Sequence, residues 1–246
     1  MKRIVMYFTL ASVLTLLSCH NDGDSNITTA EGTTGKGGST ARFTVVGDYL
    51  YTVDEYDINT FEISNAGQPI LKNNNYIGWD IETIFPRGKD KLFIGSTRGM
   101  YIYDISNPEV PQYLSVFRHV VSCDPVVADA NYAYVTLRST DNWCGNNVNQ
   151  LDILDVRNLS DPKLIKTYDM YGPYGLGIQR DTLFVCDNGL KVYDVNDKKS
   201  IRLIKHFSQV QAQDVIPNGK YLIMTSEDGI YQYKLDGKTI KQVSVL

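Results

Sequence analysis

Short apolar runs recur along this chain at a nearly constant pitch, and five of them close on the same pattern: DINTFEIS, GMYIYDIS, QLDILDVR, GLKVYDVN and GIYQYKLD. Glu62, Asp104, Asp155, Asp194 and Lys234 hold the matching position, so the spacings are 42, 51, 39 and 40 residues. Such a period belongs to propeller blades and other stacked units. Each unit also carries a preceding strand (DYLYTV, KLFIGS, NYAYVT, TLFVCD, KYLIMT). Turns such as Asp187-Asn188-Gly189 and Glu227-Asp228-Gly229 join the two, because Asn-Gly and Asp-Gly reach positive φ cheaply. Fourth strands such as LIKTY and TIKQVSV alternate polar with apolar, as an outermost, half-solvated strand should. First strands such as PVVAD and GLGIQ are short and built from small residues, which suits a crowded ring centre. Runs such as YIYDI are apolar on both faces, so each sheet is sandwiched between neighbours. The pattern predicts an all-β, five-bladed β-propeller with four antiparallel strands per blade.

The N-terminus follows different rules. Lys2 and Arg3 precede an apolar stretch from Ile4 to Leu17, which is too short for a stop-transfer helix. Leu16-Leu17-Ser18-Cys19 resembles the lipobox of bacterial lipoproteins, which implies cleavage after residue 18 and acylation of Cys19. Asp22 and Asp24 resemble the surface-export signal of Bacteroidota lipoproteins. The expectation is an outer-membrane lipoprotein exposed at the cell surface and held to the membrane through Cys19. Residues His20 to Thr40 are nearly all small or polar and read as a flexible tether. The predicted organisation is therefore 1–18 signal peptide, 19–40 tether and 41–246 propeller.

Composition narrows the partners. The formal net charge of −4 becomes −6 once Lys2 and Arg3 are removed, and no basic cluster interrupts the array. Nucleic acid is not expected as a partner. The propeller is expected to be a monomer.

The blocks NYAYVTLRS, QLDILDVRNLSDPKLI, TLFVCDNGLKVYDV and GMYIYDISNPEVPQYL are similar to the LVIVD-repeat family of bacterial surface and secreted β-propeller-like proteins. The similarity is closest in units two to four. Unit five departs from it with Lys234 at the acidic position and no Asn-Pro turn. The resemblance implies the fold and the compartment, and implies no activity.

Because an acid recurs in every unit but the last, turn formation accounts for it: a carboxylate accepts the amides that shape the turn into the fourth strand. Cysteines say more. In an exported chain Cys123 and Cys144 flank the same rim of unit three and are predicted to form a disulfide, while Cys186 occupies a small-residue slot and reads as a buried thiol. No CxxC pair or neighbouring His supports a metal site, and no cofactor motif occurs.

Unit three is about ten residues longer than its neighbours, and the excess falls in STDNWCGNNVN, Ser139 to Asn149. Long loops on a rigid frame are where binding concentrates. Trp143 within it reads equally as a stacking platform for a ligand or as a lid over the propeller mouth. Aligned first strands put Ala41, Glu82, Asp124, Tyr174 and Gln213 at one level of the mouth, with Tyr76, Trp79, His119 and Tyr171 in the connections above. The candidate ligand-binding rim is Trp143, Tyr174, Trp79, Asp124, Glu82 and Tyr171. The expected function is a glycan- or protein-binding or scaffold module without catalysis. The alternative is a glycoside hydrolase or lyase with Glu82 and Asp124 as acid and base.

Overall fold

The computed structural model describes residues 37–119, 125–139, 148–236 and 239–246, which form five four-stranded antiparallel sheets. Blade 1 is β1 (Phe43–Val46), β2 (Tyr49–Val53), β3 (Asp57–Glu62) and β4 (Ile70–Tyr76). Blade 2 is β5 (Ile81–Arg87), β6 (Lys91–Ser96), β7 (Gly99–Asp104) and β8 (Gln112–Arg118). Blade 3 is β9 (Val126–Ala128), β10 (Tyr132–Arg138), β11 (Asn149–Asp155) and β12 (Lys163–Asp169). Blade 4 is β13 (Leu176–Gln179), β14 (Thr182–Cys186), β15 (Leu190–Asp194) and β16 (Arg202–Phe207). Blade 5 is β17 (Asp214–Asn218), β18 (Tyr221–Ser226), β19 (Gly229–Asp236) and β20 (Thr239–Val245). In every blade the strands pair in chain order, so the predicted array is the observed one. Among the described residues no helix is long and apolar enough to cross a membrane.

The predicted hairpin chemistry is visible between β14 and β15, where Asn188 and Gly189 take φ of 51° and 105°. A Cβ on Gly189 would stand 2.6 Å from the Phe207 carbonyl oxygen, so the position requires glycine twice over. Blades are held to each other mainly by apolar faces. Four buried clusters fill the seams between blades 1 and 2, 2 and 3, 3 and 4, and 4 and 5. Fully burying each large side chain in them contributes about 1.5–3 kcal/mol.

The repeated acid also serves these seams. The Asp104 Oδ1 atom accepts the Ser106 amide at 2.7 Å, Asp155 that of Arg157 at 3.0 Å and Asp194 that of Asn196 at 3.0 Å. Glu62, one methylene longer, accepts the Ser64 hydroxyl at 2.8 Å. The turn so shaped presents carbonyls to the preceding blade: Tyr51 donates to the Pro108 carbonyl at 2.8 Å, Ser115 to Leu159 at 2.5 Å and Tyr168 to Lys198 at 3.0 Å. A turn made in one blade is thus part of the contact with the last.

Blade 5 and blade 1 do not repeat this contact, and no apolar cluster joins them among the described residues. Leu50 is half-buried where its counterparts Leu92, Ala133, Leu183 and Leu222 are all fully buried. Ile230 is 43 % exposed, whereas Ile58, Met100, Leu151 and Leu190 at the same register are fully buried. Among the described residues, both end blades therefore keep a blade-type face without a packed neighbour.

The folded body begins earlier than the predicted boundary at Ala41. Gly38 and Ser39, assigned above to the tether, are buried. They lie at the hub, where Gly37 joins Phe85, Pro86, Val127, Leu176 to Gln179 and Val215 to Pro217 around a central cavity of about 180 Å³.

Candidate ligand-binding rim

Two cavities open on the rim above the hub strands, and Tyr174 is the wall between them. The first, about 240 Å³, is lined by Thr40, Glu82, Thr83, Pro125, Arg138, Pro173, Tyr174 and Gly175. The second, about 420 Å³, is lined by Tyr174, Gln211, Ala212, Gln213, Ser226, Glu227 and Asp228.

Local structure explains why these side chains meet. Pairing of β5 with β6 slips between Ile81 and Thr83, and this irregularity leaves Glu82 outside the ladder and in the rim wall. The Tyr174 backbone is held from both sides: its amide donates to the Cys186 carbonyl at 2.8 Å, and its carbonyl accepts the Thr136 hydroxyl at 2.7 Å. The Arg138 guanidinium lies 3.9 Å from the centre of the Tyr174 ring, a stacked cation–π contact. Tyr174 remains 38 % exposed, so the ring is positioned and yet accessible.

The neighbouring loop is fixed by a buried acid. Asp187 accepts the amides of Tyr171 and Gly172, at 3.1 and 2.8 Å, and pairs with Lys191 at 2.6 Å. Tyr171 itself stands 77 % exposed above the rim. Beneath, Cys186 is fully buried, as its slot in the repeat predicts, and burial pushes its thiol well above the ordinary range.

Of the six predicted rim residues, the structure brings Glu82 and Tyr174 into one cavity. Trp79 belongs to a separate patch, with its ring edge-on to Tyr56 at 5.4 Å, and neither it nor Tyr171 lines either cavity. Asp124, Trp143, Cys123, Cys144 and Cys19 lie outside the described residues, and with them the predicted disulfide, the long loop and the lipidation site. Arg138 and Asp187 escaped the sequence reading because a basic residue ending a strand and an acid in a turn are ordinary there. Among the described residues no group of three or more His, Cys, Asp or Glu side chains is arranged to hold a metal ion.

The LVIVD repeat family matches at residues 37–76 and 123–170. The chain carries LVIVD repeats. Each match spans one blade with its entry segment, blade 1 and blade 3, so the repeat and the blade are the same unit. No curated protein matches the chain. Among solved structures, the Pseudomonas aeruginosa periplasmic gluconolactonase aligns with a TM-score of 0.61 at 12 % identity, over 81 % of this chain and 67 % of that one. A Lactobacillus plantarum protein aligns with a TM-score of 0.63 at 14 % identity, over 82 % and 73 %. The Neurospora crassa Pan2 WD40 domain aligns with a TM-score of 0.57 at 14 % identity, over 81 % and 63 %. At these identities the likeness concerns the propeller fold alone.

Proposed function

We propose that this LVIVD-repeat propeller is a membrane-tethered binding module that takes a carbohydrate ligand on the rim around Tyr174, without catalysing its conversion. The observation that carries the reading is the shared wall. One aromatic ring separates two cavities whose lining adds Pro125, Pro173 and Ala212 to amides, carboxylates, hydroxyls and a guanidinium. Sugars present apolar ring faces and polar edges, and a fixed tyrosine flanked by such groups meets both. The tether would run through an acylated Cys19, which leaves the rim free to work at the outer-membrane surface. Trp143 and Asp124 border the same rim by sequence and belong to the proposal as further contacts.

A glycan array probed with the mature chain from residue 19 tests it. Tyr174→Ala should weaken binding by about tenfold or more, the usual cost of losing an aromatic anchor. Glu82→Gln should change affinity little. One structural neighbour is named a gluconolactonase, so gluconolactone belongs among the probes. Turnover of a sugar or lactone that Glu82→Gln abolishes would replace binding with hydrolysis. Absence of any glycan ligand would overturn the proposal.

A further inference from the structure

The residues just before blade 1 occupy an unusual place for the end of a tether. Ser39 is fully buried at the hub, where its hydroxyl donates to Asp214 Oδ1 at 2.8 Å and accepts the Leu176 amide at 2.8 Å. Thr40 donates its amide and its hydroxyl to Asp214 Oδ2, at 3.1 and 2.8 Å. The Val215 amide adds a fourth donor at 2.9 Å. Asp214 is buried, and all four of these donors are uncharged. The two carboxyl oxygens accept all four, whereas an amide in their place would set its own N–H groups against donors.

Space is cleared for this segment as well. A Cβ on Gly38 would come 2.0 Å from Asp214 Oδ2, and one on Gly175 would come 2.3 Å from Oδ1. Tight glycines on both sides of one buried acid mark a designed approach of backbone to carboxylate.

The segment spans the seam that no apolar cluster fills among the described residues. Ala41 is tied to blade 2, its carbonyl accepting the Ile84 amide at 2.8 Å, while Ser39 and Thr40 are tied to blades 4 and 5. We infer that Gly37 to Thr40 is a clasp that closes this propeller. It joins blade 5 to blade 1 through hydrogen bonds at the hub, in place of the apolar faces that join the other blades. Within the clasp, Gly37 lines the central cavity and Thr40 lines the first rim cavity. Opening it would withdraw Thr40 from that lining.

Hydrogen exchange followed by mass spectrometry on the full chain tests the clasp. Asp214→Asn and Ser39→Ala should each speed exchange by about tenfold or more in blade 1, blade 5 or both, and leave the strands of blade 3 as protected as before. Unchanged exchange in both end blades would overturn the inference. So would equal acceleration in all five, which would make the segment ordinary core. Should either variant fail to fold, Thr40→Val, at an exposed residue, is read by the same standard.

Discussion

Thr60 shows how a single position departs from the logic of the repeat. It faces blade 2, its hydroxyl is buried with no partner among the described residues, and its register equivalents in blades 2 to 4, Ile102, Ile153 and Val192, are apolar. An unsatisfied buried hydroxyl costs about 1–3 kcal/mol. Thr60→Val keeps the shape and removes the polar atom, so stability should rise by about 1 kcal/mol in urea denaturation. Any loss of stability would mean that the hydroxyl is bonded. The repeated acids argue the opposite case. Asp104, Asp155 and Asp194 were readable as turn residues because the amide bond that shapes each turn is local, two residues away.

At the scale of the element, the loop carrying Tyr171 depends on an acid from another hairpin. Asp187 has no exposed side-chain surface, and it satisfies two loop amides and Lys191 together. Asp187→Ala would remove the acceptor of two loop amides and the partner of the partly exposed Lys191, and each donor left unsatisfied costs about 1–3 kcal/mol. The expected result is a loss near 3 kcal/mol in chemical denaturation, with proteolysis between Met170 and Gly175 as a local reporter. A loss below about 0.5 kcal/mol would show that the loop is held by other means. By sequence Asp187 is only a turn residue, because the amides it accepts lie fifteen and sixteen residues away on a different connection.

For the whole molecule, the turn acids predict an acid limb of stability. The Arg157 guanidinium and the amide beside it hold Asp155 down at about 2, and Arg202 with the Asn196 amide does the same for Asp194. Groups depressed below their unfolded values, near 3.9, contribute stability above that pH and lose it as pH falls. Urea midpoints should therefore drop between about pH 4 and pH 2, and the double variant Asp155→Asn with Asp194→Asn should flatten that slope. A slope unchanged in the double variant would refute the assignment. Burial pushes Asp152 and Asp214 upward instead. Their share of stability is present below the unfolded value and is lost as pH rises through the raised one, which opposes the turn acids.

By itself the sequence determined the count of blades, the strands in each, the turn acids and the buried slot of Cys186. All of these follow from local periodicity, which repetition displays five times over, and from bonds between near neighbours, which the acids of the first four units make. Only the tertiary structure decided what happens between blades distant in the chain. It put Ser39 and Thr40 on Asp214, 175 and 174 residues away, set Arg138 on the Tyr174 ring, and, among the described residues, left blades 5 and 1 without the apolar contact that the other seams share. A polar segment of Gly, Ser and Thr carries no periodic signal, so its place at the hub is visible only once the ring is assembled around it.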